Sequence, residues 1–347
     1  MGLHDQVTHP FEERIPGPGE MIRVAEGVSW IRMPLPFALD HINLWVLEDD
    51  DGWTLVDAGY GSDATRERWE ALFAGPLAGP PVKNVVVTHY HPDHVGNAQW
   101  LVERTGAAFW MTTGEFLSAH AARDDTAGFD RATGIDFFAR NGLDAARFPE
   151  KMRTANGYRR GVPELPRSYR RLMHGDRVAI GGREWEVITV FGHAPEHAAL
   201  WCDSLGVLIS GDQVLPRITT NVGVWGNQPE GNPLALFLES LGRFAHLPPE
   251  ALVLPSHDRV FRGLHARIAE LHDHHARRLE RLLEGCAEPI TAHDAIPLLF
   301  KRALDDHKLM FAMGESIAHL HYLERQGKVR RVDDAAGVRR FVKMGSG

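Results

Sequence analysis

Between residues 22 and 59 the apolar positions fall in short runs, VSWIRMPLP, HINLWVLED and GWTLVDAG, each of strand length and bounded by turn residues. The last of them ends Leu55-Val56-Asp57-Ala58-Gly59, an apolar strand that delivers a carboxylate into a glycine turn. SDATRERWEALFAG then has helical spacing, with Ser62 or Asp63 placed to cap it. VKNVVVTH is a fully apolar strand, and AQWLVERTG reads as the helix after it. This strand–loop–helix alternation predicts an α/β domain with its loops gathered at strand ends.

From 115 to 172 the texture becomes polar and helical, broken by glycine and proline, which predicts a lid or side wall between core strands. Strands return as two hairpins, DRVAI-GG-REWEVITVFGH and ALWCD-SLG-VLISGD, and again at ALVLPSH (251–257) after a loop (215–232) and a helix (233–245). A long helix from Arg262 closes the main domain near Gly285, so the domain is read as 20–285. Over 286–347 the pattern predicts a helix at 293–305, a second in GESIAHLHYLERQG and a hairpin, KVRRV-DDAAG-VRRFV. Helices followed by a β-ribbon describe a small winged-helix module.

Composition narrows the function classes. The chain has 347 residues, 44% hydrophobic and 24% charged, with a formal net charge of −8. That balance opposes a general nucleic-acid or membrane-surface binder. Cys202 and Cys286 lie far apart and outside any CxxC, which points to a reducing compartment without a disulfide framework. The polar, acidic N-terminal stretch does not read as a secretory signal, and no apolar run reaches the roughly 20 residues of a membrane span. A cytoplasmic protein is the expectation. Several of the 20 histidines, such as His272, His274 and His275, fall in the long helix and are expected on its solvated face.

The chemistry concentrates at strand ends. THYHPDH (88–94) follows an apolar strand and crowds His89, His91, Asp93 and His94 into six positions. His193 follows WEVITVFG, Asp212 follows VLISG and His257 follows ALVLPS. Imidazole and carboxylate donors suit zinc, and equally iron or manganese. Coincidence is a poor account of so many donors at the tips of apolar strands.

On these motifs (LVDAG at 55–59, THYHPDHVGN at 88–97, GHAPEH at 192–197, SGD at 210–212 and PSHD at 255–258) the chain resembles the metallo-β-lactamase-fold hydrolases of the glyoxalase II-like group. The resemblance implies a four-layer αββα sandwich, here followed by the winged-helix-like domain. It implies two Zn2+ per chain, with Fe or Mn as alternatives. One metal would be held by His89, His91 and His193, the other by Asp93, His94 and His257, with Asp212 bridging. Asp57 would orient the histidine loop from behind, and His197 matches a histidine that is not a ligand. Asp93, Asp212 and, indirectly, Asp57 would then serve hydrolysis by a metal-bridging hydroxide. PSHD departs from the more frequent proline-glycine-histidine-glycine, and an aspartate, not a cysteine, stands at 212, which argues against antibiotic degradation.

The resemblance favours a small ester or thioester substrate of the glyoxalase II kind. The alternative is single-strand endoribonuclease activity of the winged-helix-bearing branch. A mononuclear-iron persulfide dioxygenase and a non-catalytic winged-helix regulator rank below these. Residues 285–347 carry ten Lys/Arg against eight Asp/Glu, with Arg330, Arg331, Arg339 and Arg340 on the ribbon. That ribbon is expected either to touch phosphates or to pack on its own domain or on a second subunit. Beside the metals, Arg217, Asn221 and Trp225 are expected to shape the pocket, and Tyr158 to close over a ligand; for Arg217 a structural salt bridge is an equal expectation.

Overall fold

The computed structural model describes residues 6–37, 39–301 and 304–345. Residues 302 and 303, within the helix expected over 293–305, and the first five residues of the chain lie outside it. Seven strands pair in chain order in one sheet: β1 (Ile22–Ala25), β2 (Val28–Pro34), β3 (His41–Asp49), β4 (Gly52–Val56), β5 (Val82–Val86), β6 (Ala108–Thr112) and β7 (Arg170–Leu172). The first four are antiparallel, and β4 to β7 are parallel. Five strands form the second sheet in the order β12-β11-β10-β9-β8: β8 (Arg177–Ile180), β9 (Arg183–Val190), β10 (His197–Cys202), β11 (Val207–Gly211) and β12 (Leu252–Pro255). Strands β6 and β7 were not apparent in the apolar pattern.

Side-chain alternation builds the layers. In β2 and β3, Trp30 and Trp45 turn inward to join Trp185, Val187, Leu200 and Leu254 of the second sheet. Their neighbours Ile31, Leu44 and Val46 turn outward, to Trp69 and Leu72 of α1 (Asp63–Ala74) and to Val95 of α2 (Pro92–Val95). Leu101 of α3 (Ala98–Thr105) and Ala119 of α4 (Thr113–Arg123) complete that outer layer. The far face of the second sheet, with Ile188, Trp201, Leu208 and Val253, carries the other helical layer. The result is an αββα sandwich.

The 115–172 segment enters both outer layers and is part of the walls. Its helix α5 (Arg131–Ala139) sends Ile135 and Phe138 into the core beyond the second sheet. Past α6 (Glu150–Arg153), α7 (Tyr158–Gly161) leads into Val162 and Leu165, which join the core outside the first sheet. On the other side lie α8 (Pro233–Leu241), the long α9 (Leu264–Gly285), α10 (Ala292–Leu299) and α11 (Asp306–Arg325). A two-stranded ribbon follows, β13 (Val329–Asp333) with β14 (Arg339–Lys343). Among the described residues no helix is long and apolar enough to cross a membrane.

One expectation fails on α9. His272 is exposed, but His275 is fully buried, with its Nδ1 3.1 Å from Nε2 of His319 on α11. Next to it Arg278 donates to the buried Glu315. The face expected in solvent is covered by the C-terminal helices, whose apolar residues reach the same core.

Gly96, in THYHPDHVGN, has a packing role. A Cβ on Gly96 would lie 2.3 Å from the Gly161 carbonyl oxygen and 2.5 Å from the Gly61 nitrogen. That close approach lets Gly61 N–H donate to Gly161 O at 2.8 Å, which seats α7 against α2. Gly96→Ala is expected to cost about 1–3 kcal/mol by forcing these backbones apart, read as a lowered thermal midpoint. An unchanged midpoint contradicts this packing.

Candidate metal centre

The candidate donors arrive at one edge of both sheets. His89 and His91 follow β5, and Pro92 at the first position of α2 places Asp93 and His94 on that short helix. His193 follows β9, Asp212 follows β11 and His257 follows β12. Gly192 takes φ +98° and lies so close to α8 that a Cβ would sit 2.5 Å from Pro233 O. Gly211, at φ +55°, leaves room for the ring of His197, whose Nε2 would be 2.2 Å from a Cβ. His197 in turn accepts the Asp212 N–H through Nε2 at 3.2 Å and stacks on His89, their ring centroids 4.8 Å apart.

All seven donors converge, in two groups. Donor atoms of His89, His91, His193 and Asp212 lie within 4.8 Å of one another, as do those of Asp93, His94 and His257. His89 Nε2 is 3.0 Å from His91 Nδ1 and 3.2 Å from His193 Nε2. Asp212 joins the groups: its Oδ2 is 3.4 Å from His193 Nε2, and its Oδ1 is 3.5 Å from Nε2 of both His94 and His257. Asp93 Oδ2 completes the second group, 3.4 Å from His257 Nε2 and 3.8 Å from His94 Nε2.

The atoms behind the rings decide which nitrogen points inward. His193 Nδ1 donates to the Asn221 carbonyl (2.8 Å), His257 Nδ1 to the His41 carbonyl (3.0 Å) and His94 Nδ1 to Asp57 Oδ2 (2.8 Å). Asp57 also accepts the Thr88 N–H (2.8 Å) and its hydroxyl (3.0 Å). With its proton committed to Asp57, the Thr88 hydroxyl accepts from His89 Nδ1 at 3.1 Å. Each of these four rings therefore turns its Nε2 toward the centre, the nitrogen that takes either a proton or a bound cation. Nε2 of His89 and Nε2 of His193 face each other at 3.2 Å, and those of His94 and His257 face carboxylate oxygens that favour a proton or a cation there. Neighbours of like polarity at such distances are reconciled by positive charge between them. The buried His94 Nε2 and Asp212 Oδ1 have no hydrogen-bond partner among the described residues. Such orphaned acceptors are what a bound cation satisfies, and the donor set fits one.

The electrostatics agree. Burial opposes charge on His257, but Asp212 and Asp93 outweigh it and push its pKa up to about 10. Burial likewise opposes charge on His94, and Asp57, Asp212 and Asp93 hold its pKa well above the imidazole range. On the all-histidine side burial, reinforced by His193, drives His91 down to about 3. The carboxylate side attracts positive charge, and the imidazole side offers neutral donors.

The loop that carries His257 explains the departure in PSHD. Asp258 takes φ +69°, a conformation glycine adopts freely. It is held there by neighbours: its N–H donates to His41 Nε2 (3.0 Å), and its carbonyl accepts from Arg32 and from Asn43 Nδ2 (3.2 Å). Arg217 Nε stands 3.5 Å from Asp258 Oδ2, so this half-exposed arginine makes the structural ion pair. Asn221 acts through its carbonyl, on His193. Trp225 packs between Phe138 and Phe311 and ties its loop to α5 and α11. Tyr158 donates to the Tyr90 carbonyl (2.5 Å) and so braces the motif from behind.

Thr88, His41 and Glu115 were not singled out from the sequence. Glu115 is fully buried and accepts the N–H groups of Tyr90 (2.9 Å) and Glu196 (2.5 Å). Thr88 stands inside the histidine motif, which was a signal. His41 and Glu115 act only through tertiary contacts.

Comparison with known proteins places this geometry in a family. The model described as metallo-beta-lactamase superfamily matches residues 38–257, and that described as metallo-beta-lactamase-like, C-terminal domain, matches 279–344. The chain is similar to a solved beta-lactamase domain protein from Burkholderia ambifaria, 46% identical, covering 99% of each chain with a TM-score of 0.91. It is 27% identical to the probable metallo-hydrolase YqjP of Bacillus subtilis, over 87% of this chain and 93% of that one. It is also 27% identical to a hydroxyacylglutathione hydrolase of Erythrobacter litoralis, over 79% of this chain and 91% of that one.

Thr88→Val keeps the shape but removes the hydroxyl that passes the pull of Asp57 to His89. Metal affinity is expected to fall about 10–100-fold, measured by competition with a chromophoric chelator. Wild-type affinity in the variant contradicts the relay.

Proposed function

The chain belongs to the metallo-beta-lactamase superfamily, and we propose that it is a metal-dependent hydrolase that holds two divalent cations and cleaves a small ester or thioester. The observation that carries this reading is the division of Asp212, one oxygen toward His193 and the other toward His94 and His257. His89, His91 and His193 would hold one cation, Asp93, His94 and His257 the other, with Asp212 shared between them. Zinc is the first choice for these nitrogen and oxygen donors, and iron or manganese would be accepted by the same set.

When bound, a pair of divalent cations lowers the pKa of a shared water and polarises the carbonyl under attack. The protein's own residues supply the rest. Two carboxylates, Asp93 and Asp212, offset only part of the charge of two such cations. With the cations bound, the surplus would favour an anionic nucleophile and the oxyanion that develops on the carbonyl. Hydrogen bonds to Asp57, Thr88, Asn221 and His41 keep four imidazoles oriented, so little reorganisation is needed during reaction.

Similarity to hydroxyacylglutathione hydrolases supports the thioester class. The ribbon supports it from the other direction. Arg331 pairs with Glu230 at 2.8 Å and Glu324 at 2.8 Å, Arg339 with Glu230 at 3.4 Å, and Arg340 with Asp334 at 3.2 Å. Three of the four ribbon arginines are thus matched to the protein's own acids. On a chain of net charge −8, that leaves little to draw RNA.

The test is a panel of S-lactoylglutathione, aryl thioesters and labelled single-stranded RNA, assayed with zinc-loaded protein. Turnover of a thioester or ester is expected, and Asp212→Ala is expected to reduce kcat/KM by on the order of 1,000-fold. Metal-dependent RNA cleavage with no ester, thioester or lactone turnover contradicts the proposal.

A further inference from the structure

The three histidines of the first group come from two different sheets. His89 and His91 follow β5 of the seven-stranded sheet, and His193 lies in the turn between β9 and β10 of the other. Their spacing depends on how those two loops are fastened together across the sandwich. Backbone contact supplies one tie, Ala198 N–H to the Thr88 carbonyl at 2.9 Å. It lies on the β-strand side of both loops, short of His91 and His193.

Beyond that tie stands Glu115, in the first turn of α4 and fully buried. Its Oε2 accepts the N–H of Tyr90, the residue between His89 and His91, at 2.9 Å. Its Oε1 accepts the N–H of Glu196, three residues past His193, at 2.5 Å. Two further bonds fix the same turn to the His193 loop: Gly114 N–H to Glu196 Oε2 at 2.7 Å and Thr112 Oγ to the Glu196 carbonyl at 2.8 Å. No arginine or lysine pairs with Glu115 among the described residues. Burial opposes its charge, and the two N–H donors pull the other way. A carboxyl kept in so unfavourable a place has a reason in what it connects.

We propose that Glu115 is a positioning residue that sets the spacing of His89 and His91 against His193 by holding one N–H from each of their loops on its two oxygens. The inference rests on the metal-binding reading above and extends it to a residue that touches neither donor nor substrate. Both oxygens are required. Gln presents a single acceptor and turns an NH2 against the other N–H. Asp keeps two acceptors but is one methylene too short to reach both loops.

Glu115→Gln and Glu115→Asp are compared with the wild-type chain by Zn2+ titration against a chromophoric chelator. Amide exchange of the metal-free proteins at Tyr90 and Glu196 is followed alongside. The clamp predicts that one zinc equivalent weakens at least tenfold in each variant while the other is held as in the wild type. It also predicts faster exchange at both amides, without metal. Two zinc equivalents of wild-type affinity in folded Glu115→Gln or Glu115→Asp would overturn the clamp alone, because the metal reading would stand. A wild-type chain that binds no second zinc would overturn the dinuclear reading and the inference with it. Equal weakening of both equivalents would also overturn it, by showing a general loosening in place of a local clamp.

Discussion

Asp212 faces two ways, and the arrangement around it depends on keeping it there. A buried carboxylate with one oxygen orphaned carries a desolvation cost that only positive charge nearby repays. The chain secures its position from three sides. Gly211 bends at φ +55° over His197, His197 accepts the Asp212 N–H, and Thr220 Oγ donates to the Asp212 carbonyl at 2.5 Å. Donors from both sheets can then meet at a carboxylate that belongs to neither group alone.

The same constraint explains why so much of the hydrogen bonding lies one step behind the donors. An imidazole faces the centre with its lone pair only if its other nitrogen is held by an acceptor, and four rings here have one: a carbonyl for His193 and His257, Asp57 for His94, and a hydroxyl for His89. Asp57 sits at φ +67°, a strained place for aspartate, and is kept there by what its carboxylate holds. Asp258 carries a similar strain at φ +69° and is held by Arg32, Asn43, His41 and Arg217. In both places the chain tolerates an unfavourable backbone for the sake of a neighbouring histidine.

The donors were legible in the sequence because they lie just beyond the ends of apolar strands, and apolar strands announce themselves by composition. Fold class was legible for the same reason, through the strand–helix alternation. Strand β6 was missed because AFWMT is only five residues long and runs directly into α4; β7, three residues of RRL, has no apolar pattern. Side-chain partners were less legible. Nothing in the local sequence says that Glu115 will meet Tyr90 and Glu196, or that His275 will be covered by α11, since both depend on segments far along the chain. Trp225 illustrates the same limit: proximity in sequence to Asp212 did not say that it would pack on Phe138.

The proposed chemistry depends on one carboxylate, Asp212, shared between two cations. Anomalous diffraction from crystals of the protein carrying its native metal, recorded at that metal's absorption edge, addresses it directly. Two peaks are expected, one among His89, His91 and His193 and one among Asp93, His94 and His257, each with an Asp212 oxygen in contact. A single peak, or two peaks of which one lacks Asp212, would contradict it.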